Sequence, residues 1–175
     1  GTRIVADIGA MTYPSNPRDF KVVGNQLFFT AERQDTPREL WVTDGTTVGT
    51  RPVQDLPPGT EGAVGEDDNE LTAGPGGLLF TANDSLWRSD GTDAGTFALG
   101  GRFVSDLTYF QKQLFFTSRV DFKNWHLWVS DGTVGGTREL VELDPERLGA
   151  LDLAVFGNKL YITNYSGDVW RTDGT

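Results

Sequence analysis

Four aspartates at equivalent positions are the residues most suggestive of chemistry: Asp44, Asp90, Asp131 and Asp173. Recurring carboxylates could serve as general acids and bases or bind a hard cation. Each one, however, is followed by glycine and threonine. Asp-Gly is a dipeptide of tight hairpins, where aspartate accepts backbone amide hydrogen bonds and glycine supplies a positive φ. Because the same tripeptide recurs in every copy, we predict that these aspartates build turns and that none is catalytic.

A second set of acids precedes the first apolar residue of four equivalent segments: Asp19, Glu70, Asp106 and Asp152. If each segment is the innermost strand of a ring-shaped fold, these carboxylates surround the mouth of a central channel. Clustered carboxylates with backbone carbonyl groups suit a hard cation. Such a ring could therefore hold Ca²⁺ or another cation in the central channel, and we expect no other cofactor. We favour the alternative, that each carboxylate caps backbone amides of a neighbouring blade and binds no metal.

Other catalytic groups are scarce. His126 is the only histidine and the chain has no cysteine, so a histidine-based triad or a zinc site would depend on one side chain. Thiolate catalysis and disulfides are excluded. We therefore predict that the protein is not an enzyme. The alternative is a hydrolase or lyase that acts on polysaccharide through a pair of carboxylates.

The chain is acidic, with 15 basic and 25 acidic side chains and a formal net charge of −10. A phosphate backbone or an anionic bilayer would be repelled over most of such a surface, so nucleic acid is excluded as a partner. The sequence also has no apolar run long enough to span a membrane, which takes about 18 residues. We therefore expect no membrane insertion.

The elements that must position these groups repeat along the chain. The repeat is marked by four tryptophans that are 46, 41 and 42 residues apart: Trp41, Trp87, Trp128 and Trp170. This period is that of a propeller blade. Each tryptophan follows a short apolar and aromatic run such as Leu27–Thr30, which predicts strands joined by tight hairpins. We expect the recurring tryptophans to be buried between blades rather than exposed to stack on sugars.

The sequence predicts one all-β domain, residues 1–175, folded as a β-propeller of four four-stranded blades. The blades cover about 17–56, 69–100, 103–143, and 150–175 together with 1–8. In blade 1, strands A to D are expected at Phe20–Val23, Leu27–Ala31, Glu39–Thr43 and Thr50–Leu56.

Residues 1–8 match the D strand of the other copies, so we expect them to complete the fourth blade and close the ring. The internal copies place two residues between Asp-Gly-Thr and the following Gly-Thr, and these two are missing where the termini would meet. The alternative is therefore a half-ring that pairs with a second copy as a homodimer and forms an eight-bladed ring.

The segment Glu39–Thr46 carries every fixed position of the bacterial repeats named for the pattern Glu-Leu-Trp-x-x-Asp-Gly-Thr. The other copies depart from the pattern at the first position, where they have Ser85, His126 and Asp168, and the last copy has Val169 for leucine. The chain resembles this family along its whole length. The resemblance implies a secreted or surface-associated bacterial propeller, hence an extracellular or cell-surface location, in a family that usually has more than four repeats.

The loops between strands B and C and between strands D and A share one face of a propeller and hold most of the length variation here. From the threonine of strand B to the tryptophan of strand C the intervals are 11, 6, 11 and 7 residues, so long and short loops alternate. Loops on a rigid scaffold commonly carry binding groups. The candidate ligand contacts on this face are Tyr13, Arg33, Arg38, Arg119, Lys123 and Trp125, of which Trp125 is an aromatic outside the repeat.

We therefore expect a non-catalytic binding or scaffold module that contacts a protein or a glycan through this loop-rich face. Besides the polysaccharide-acting enzyme, the remaining alternative is a purely architectural repeat fragment, natural or engineered, that assembles into a larger propeller.

Overall fold

The computed structural model describes residues 1–9, 14–33, 36–53, 71–119, 124–143, 150–164 and 167–174. Sheet 1 contains β1 (Arg18–Val23), β2 (Gln26–Arg33), β3 (Thr36–Thr43) and β4 (Arg51–Pro52). Sheet 2 contains β5 (Thr72–Gly74), β6 (Gly77–Ala82), β7 (Ser85–Ser89) and β8 (Phe97–Gly100). Sheet 3 contains β9 (Ser105–Phe110), β10 (Gln113–Arg119), β11 (Trp125–Ser130) and β12 (Arg138–Glu142). Sheet 4 contains β13 (Ala150–Phe156), β14 (Lys159–Asn164) and β15 (Val169–Thr172).

The strands of every sheet are antiparallel and neighbour one another in chain order, which is the predicted order A, B, C, D. The hairpin between β6 and β7 illustrates the local cause. Asn83 and Asp84 have φ values of 50° and 60°, and a two-residue hairpin loop with both φ values positive matches the twist of the flanking strands. The prediction of an all-β chain with four repeated sheets is confirmed.

The apolar core lies between consecutive sheets. Phe28 of sheet 1 and Val53, the residue after β4, pack in one cluster with Trp87 of sheet 2. Trp128 of sheet 3 packs against the cluster shared with sheet 2, and Trp170 of sheet 4 packs against the cluster shared with sheet 3. These three tryptophans therefore hold the inter-sheet positions that the repeat predicted.

The A strands contact one another in the order β1, β5, β9, β13. Among the described residues no comparably extensive contact joins β13 back to β1. The glycines of the Asp-Gly-Thr turns show the same asymmetry. A Cβ added to Gly132 would lie 2.5 Å from the Pro75 carbonyl oxygen of the preceding sheet, and one on Gly91 would lie 3.0 Å from the Gln26 amide. A Cβ on Gly45 would meet nothing within 4 Å.

The N-terminal segment does not form the fourth strand of sheet 4. Residues 1–9 contain no strand, and sheet 4 has three. The segment lies instead against sheet 1, where Ile8 packs on Phe29, Ala31 and Trp41. The Thr47 hydroxyl also donates a 2.7 Å hydrogen bond to the Val5 carbonyl oxygen. The expected closure of the ring by the chain's own first strand is therefore not seen in the structure.

The outer faces of the first and last sheets remain exposed. Phe156, the last residue of β13, is 77% exposed, whereas its counterpart in sheet 3, Phe110, is 6% exposed. Phe20 in β1 is 58% exposed, and its counterpart in sheet 2, Leu71, is 4% exposed. An apolar groove of about 570 Å³ is lined by Val5 and Ile8 of the N-terminal segment and by Phe20, Val22 and Phe29 of sheet 1. Each end of the row of sheets thus presents apolar side chains that an equivalent neighbour buries elsewhere.

Candidate functional site

The Asp-Gly-Thr turns are closed hydrogen-bond networks. In the first copy the Asp44 carboxylate accepts hydrogen bonds from the Thr46 amide at 2.9 Å and from the Thr46 hydroxyl at 2.7 Å. The Thr46 hydroxyl oxygen accepts from the Gly49 amide at 2.9 Å. Gly45 has a φ of 86°, which favours glycine because it lacks a Cβ. Asp90 and Asp131 repeat the same contacts, so the predicted structural role of these three aspartates is confirmed.

These contacts also set the charge state of the turn aspartates. The hydroxyl hydrogen bond from the threonine two residues later is the main cause, followed by the amide bond from the same residue, and together they hold the pKa of Asp44, Asp90 and Asp131 below its usual range. A carboxyl group with a lowered pKa stays ionised and cannot donate a proton near neutral pH. The geometry therefore gives no support to acid catalysis by these three residues.

The glycine of the Gly-Thr pair is required by the same carboxylates. A Cβ at Gly49 would lie 1.9 Å from the nearer Asp44 oxygen. At Gly95 and Gly136 it would lie 2.0 Å from Asp90 and Asp131, respectively. No real Cβ tolerates so short a contact, so the fixed offset between Asp-Gly-Thr and Gly-Thr is a steric consequence of the turn.

Two of the acids predicted to bind a cation have hydroxyl partners within their own sheets. Asp19 and Asp106 adopt left-handed backbone conformations, with φ values of 58° and 59°, at irregularities in the pairing of β1 with β2 and of β9 with β10. Their carboxylates accept hydrogen bonds from Thr30 and Thr117 at 2.5 and 2.7 Å.

Asp152 lies at the corresponding irregularity between β13 and β14, and Glu70 lies outside the described residues. Within the described ranges no three His, Cys, Asp or Glu side chains are grouped so that they could hold a metal ion. The recurrence of the acids thus has a local explanation in two copies, and the cation remains a prediction.

Two of the predicted ligand contacts are engaged inside sheet 1. Arg33 donates two hydrogen bonds to the Glu39 carboxylate, at 2.8 and 2.9 Å, and this contact raises the pKa of Arg33. Arg38 was expected to be exposed, but it is buried. Its guanidinium donates to Glu32 at 2.6 Å and to the Thr30 hydroxyl oxygen at 3.0 Å. Arg38 is thus held by internal contacts and does not offer a free guanidinium to a ligand.

Arg119 and Trp125 are brought together by the structure. They are paired residues at the adjoining ends of β10 and β11, and the Arg119 guanidinium carbon lies 4.9 Å from the Trp125 ring centroid. The centroid of the Phe103 ring lies 4.7 Å from the same guanidinium carbon. Arg102, 5.7 Å from the same ring, is exposed. We call Arg102, Phe103, Arg119 and Trp125 the loop-face cluster.

The connection from β8 to β9 places two members of this cluster. The Arg119 amide donates a 2.9 Å hydrogen bond to the Arg102 carbonyl oxygen, and the Ser118 hydroxyl bonds the same oxygen at 2.8 Å. Phe103 follows with a φ of 51°, a left-handed conformation that is strained for a bulky residue and costs about 1–3 kcal/mol. The Val104 amide then donates to the Asp84 carbonyl oxygen at 3.1 Å.

Sequence reasoning did not find Arg102 and Phe103. The available signal was an Arg-Phe pair outside the repeat in a D–A loop, beside the B–C loop that contains Arg119. Tyr13 and Lys123, the remaining predicted contacts, lie outside the described residues. His126 is buried, and its Nδ1 lies 2.8 Å from a Glu139 carboxylate oxygen.

The fold and these sites define an all-β, β-propeller-like protein made of repeated antiparallel sheets. In fold the chain is similar to two computationally designed proteins with solved crystal structures. The designed Ika4 protein superposes with a TM-score of 0.54 at 14% identity, and the match covers 98% of each chain. The designed Ika8 protein superposes with a TM-score of 0.53 at 14% identity over 94% of this chain and 48% of that chain.

This chain therefore spans about half the length of Ika8. At such identities the likeness concerns the fold alone. No protein-family model and no curated protein matches the sequence. In the described part of the chain, no helix has the length and hydropathy to cross a membrane.

Proposed function

We propose that this protein is a non-catalytic propeller module that binds a protein or a glycan through its B–C and D–A loop face. The observation that carries the proposal is the loop-face cluster, where the Arg119 guanidinium carbon lies 4.9 Å from the Trp125 ring centroid and 4.7 Å from the Phe103 ring centroid. Arginine and aromatic side chains are enriched at binding interfaces because they combine contact area with directional hydrogen bonds. The resemblance to the Glu-Leu-Trp-x-x-Asp-Gly-Thr repeats supports a secreted or cell-surface bacterial setting.

The contacts of the acids favour binding over catalysis. Asp19 and Asp106 accept hydrogen bonds from strand-B threonines, and Asp44, Asp90 and Asp131 accept hydrogen bonds within their turns. A glycoside hydrolase needs one carboxyl group with a raised pKa beside a second carboxylate. The hydrogen bonds from threonine lower, rather than raise, the pKa of Asp44, Asp90 and Asp131.

A polysaccharide and protein panel tests this function. We expect the immobilised protein to retain at least one polysaccharide or protein of the panel, and the Trp125→Ala variant to retain none. We expect no new reducing ends from any polysaccharide, because the protein should not cleave it. As a control, Trp125→Phe keeps an aromatic ring at the same position. Turnover of a polysaccharide that disappears in Asp106→Asn would contradict the proposal and support the enzyme.

We further propose that a second copy of the chain completes the ring, which gives eight blades. The N-terminal segment lies on sheet 1 as the end of the third D strand lies on sheet 4. Ile8 packs against the cluster that contains Trp41, and Trp170 packs against the cluster that contains Leu143. β15 has no fourth strand beside it among the described residues. A partner copy would supply a D strand to each β15 and a sheet 4 to each sheet 1.

Engineered cysteines test whether the N-terminal segment of one copy lies beside β15 of another, since the chain has no cysteine of its own. In sheet 1 Val42 pairs with Arg51, so the equivalent junction pairs Arg171 with Arg3. A mixture of Arg3→Cys and Arg171→Cys chains should form a disulfide-linked dimer, which neither variant forms alone. Val134→Cys replaces Arg3→Cys as the exposed control that should not link. A monomeric mass, with an internal disulfide in the double variant, would instead support closure of four blades by the chain's own first strand.

A further inference from the structure

We infer that the loop-face cluster binds a sugar that carries an isolated carboxylate, such as a uronic acid within an otherwise neutral glycan. This inference rests on the proposed binding function and names its ligand class. It starts from the environment of the Arg119 guanidinium, whose carbon lies 4.7 Å from the Phe103 ring centroid and 4.9 Å from the Trp125 ring centroid. The N–H groups at the edge of a guanidinium match a carboxylate through two parallel hydrogen bonds.

Among the described residues, the two arginines of the cluster have no carboxylate partner. Every ion pair found among the described residues involves other groups, and none involves Arg102 or Arg119. Arg119 Nε is buried and has no hydrogen-bond partner there. The contrast with sheet 1 is direct, because Arg33 and Arg38 each have a glutamate partner. A buried donor without a partner is costly, and an anionic ligand at the guanidinium would provide compensating negative charge.

The rings of the cluster favour a sugar over an isolated anion. Phe103 and Trp125 are both partly exposed at the loop face, and an aromatic ring beside a charged fork offers an apolar surface to the apolar face of a pyranose. The backbone of Phe103 is held at a φ of 51°, so the ring is kept beside Arg119 at the expense of local strain. Strain of this kind collects at binding sites.

The net charge of the protein selects among acidic ligands. At −10 the chain repels polyanions at long range, so a densely sulfated chain or a nucleic acid gains less from two arginines than it loses. A glycan with one carboxylate for every few neutral sugars carries the group that the cluster fits and little further charge. This favours, as the probe, an oligosaccharide that carries one glucuronic acid residue among several neutral sugars.

Binding of this oligosaccharide is measured by isothermal titration, together with a matched ligand in which each carboxyl group has been reduced to a hydroxymethyl group. We expect the reduced ligand to bind about ten- to a hundredfold more weakly, the range for loss of a charged hydrogen-bonding contact. Arg119→Gln should weaken binding of the acidic ligand by a similar factor and leave the reduced ligand unaffected. Arg119→Lys, which keeps the charge and loses the fork, should fall between the two.

Arg138→Gln is the matched control, since it removes one exposed positive charge from β12, away from the cluster. Equal binding of the acidic and reduced ligands, or equal affinity of the Arg119→Gln and Arg138→Gln variants, would overturn the inference. Binding of only a neutral glycan or a protein from the wider panel would overturn it and leave the binding module intact. If no ligand binds at all, both the inference and the proposed function are wrong. Thermal unfolding of each variant shows whether Arg119→Gln remains folded.

Discussion

Alanine substitution at Gly136 tests whether the turn aspartate explains the fixed spacing of the repeat. The added Cβ would lie 2.0 Å from Asp131 Oδ1 and 2.2 Å from its Cγ, where an unstrained contact needs at least 3.4 Å. The carboxylate must therefore turn away and give up its two hydrogen bonds to Thr133. Because Asp131 is exposed, the low end of about 0.5 kcal/mol per bond applies, so the loss is at least about 1 kcal/mol.

The matched control is the adjacent Gly135→Ala. A Cβ there meets nothing within 4 Å, and the equivalent positions of the other copies are Val48 and Ala94. Alanine in this position restricts the unfolded chain and is expected to be neutral or to stabilise by up to about 1 kcal/mol. For a chain of this length 1 kcal/mol corresponds to about 2–4 °C in Tm, so the two variants should shift Tm in opposite directions or by clearly different amounts.

Thermal and urea unfolding monitored by circular dichroism measure both variants. The decisive step is a double-mutant cycle in which Gly136→Ala is repeated in an Asp131→Ala background. If the clash with the carboxylate is the cause, most of the cost disappears, because the two positions are directly coupled. An unchanged cost in that background, or equal effects of Gly135→Ala and Gly136→Ala, would falsify the steric explanation.

Three further predictions concern pH, assembly and metal. The lowered pKa values of Asp90 and Asp131 mean that their stabilising effect is present above the unfolded pKa of about 4 and is lost as the pH falls through the lower folded pKa. Tm measured from pH 2 to 6 should thus fall less steeply in Asp131→Asn than in the parent. Phe156→Asp should shift the mass in multi-angle light scattering from dimer to monomer with little change in the circular dichroism spectrum, whereas the exposed control Val134→Asp should not; a dimer that persists contradicts the proposed junction. If a cation binds the A-strand acids, millimolar calcium must raise Tm relative to chelator, and an unchanged Tm excludes calcium from this site.

Features that depend on neighbours in sequence could be predicted, since their physics is local. The hydrogen bonds that Asp44 and Thr46 make in the first Asp-Gly-Thr turn join residues within one seven-residue segment, from Asp44 to Thr50. The tripeptide alone is therefore enough to predict them. The position of Trp87 between sheets also followed from the repeat, because one side chain that recurs at one register must meet the same surroundings each time.

The exposure of side chains and the closure of the chain could not be predicted in this way. Arg38 is buried and donates hydrogen bonds to Glu32 and Thr30. No sequence motif predicts this arrangement. The sequence predicted a D strand at residues 1–8, but the structure has no strand there. A D strand at this position would need β15 as its neighbour, and such a contact between distant segments is not encoded in the local sequence. The loop-face cluster joins a D–A loop to a B–C loop across two sheets, and only Arg119 and Trp125 stood out beforehand.

The two exposed ends of the row of sheets are different surfaces, and this has a consequence for how many copies can associate. A contact between unlike patches closes into a ring only if the rotation from one unit to the next divides a full turn; otherwise it continues as an open fibre. Here the close approach of Gly132 to Pro75 fixes part of that rotation. Replacing Gly132 with a residue that has a side chain would therefore change the rotation between neighbouring sheets, and with it the number of copies in the assembly, without altering the surfaces that associate.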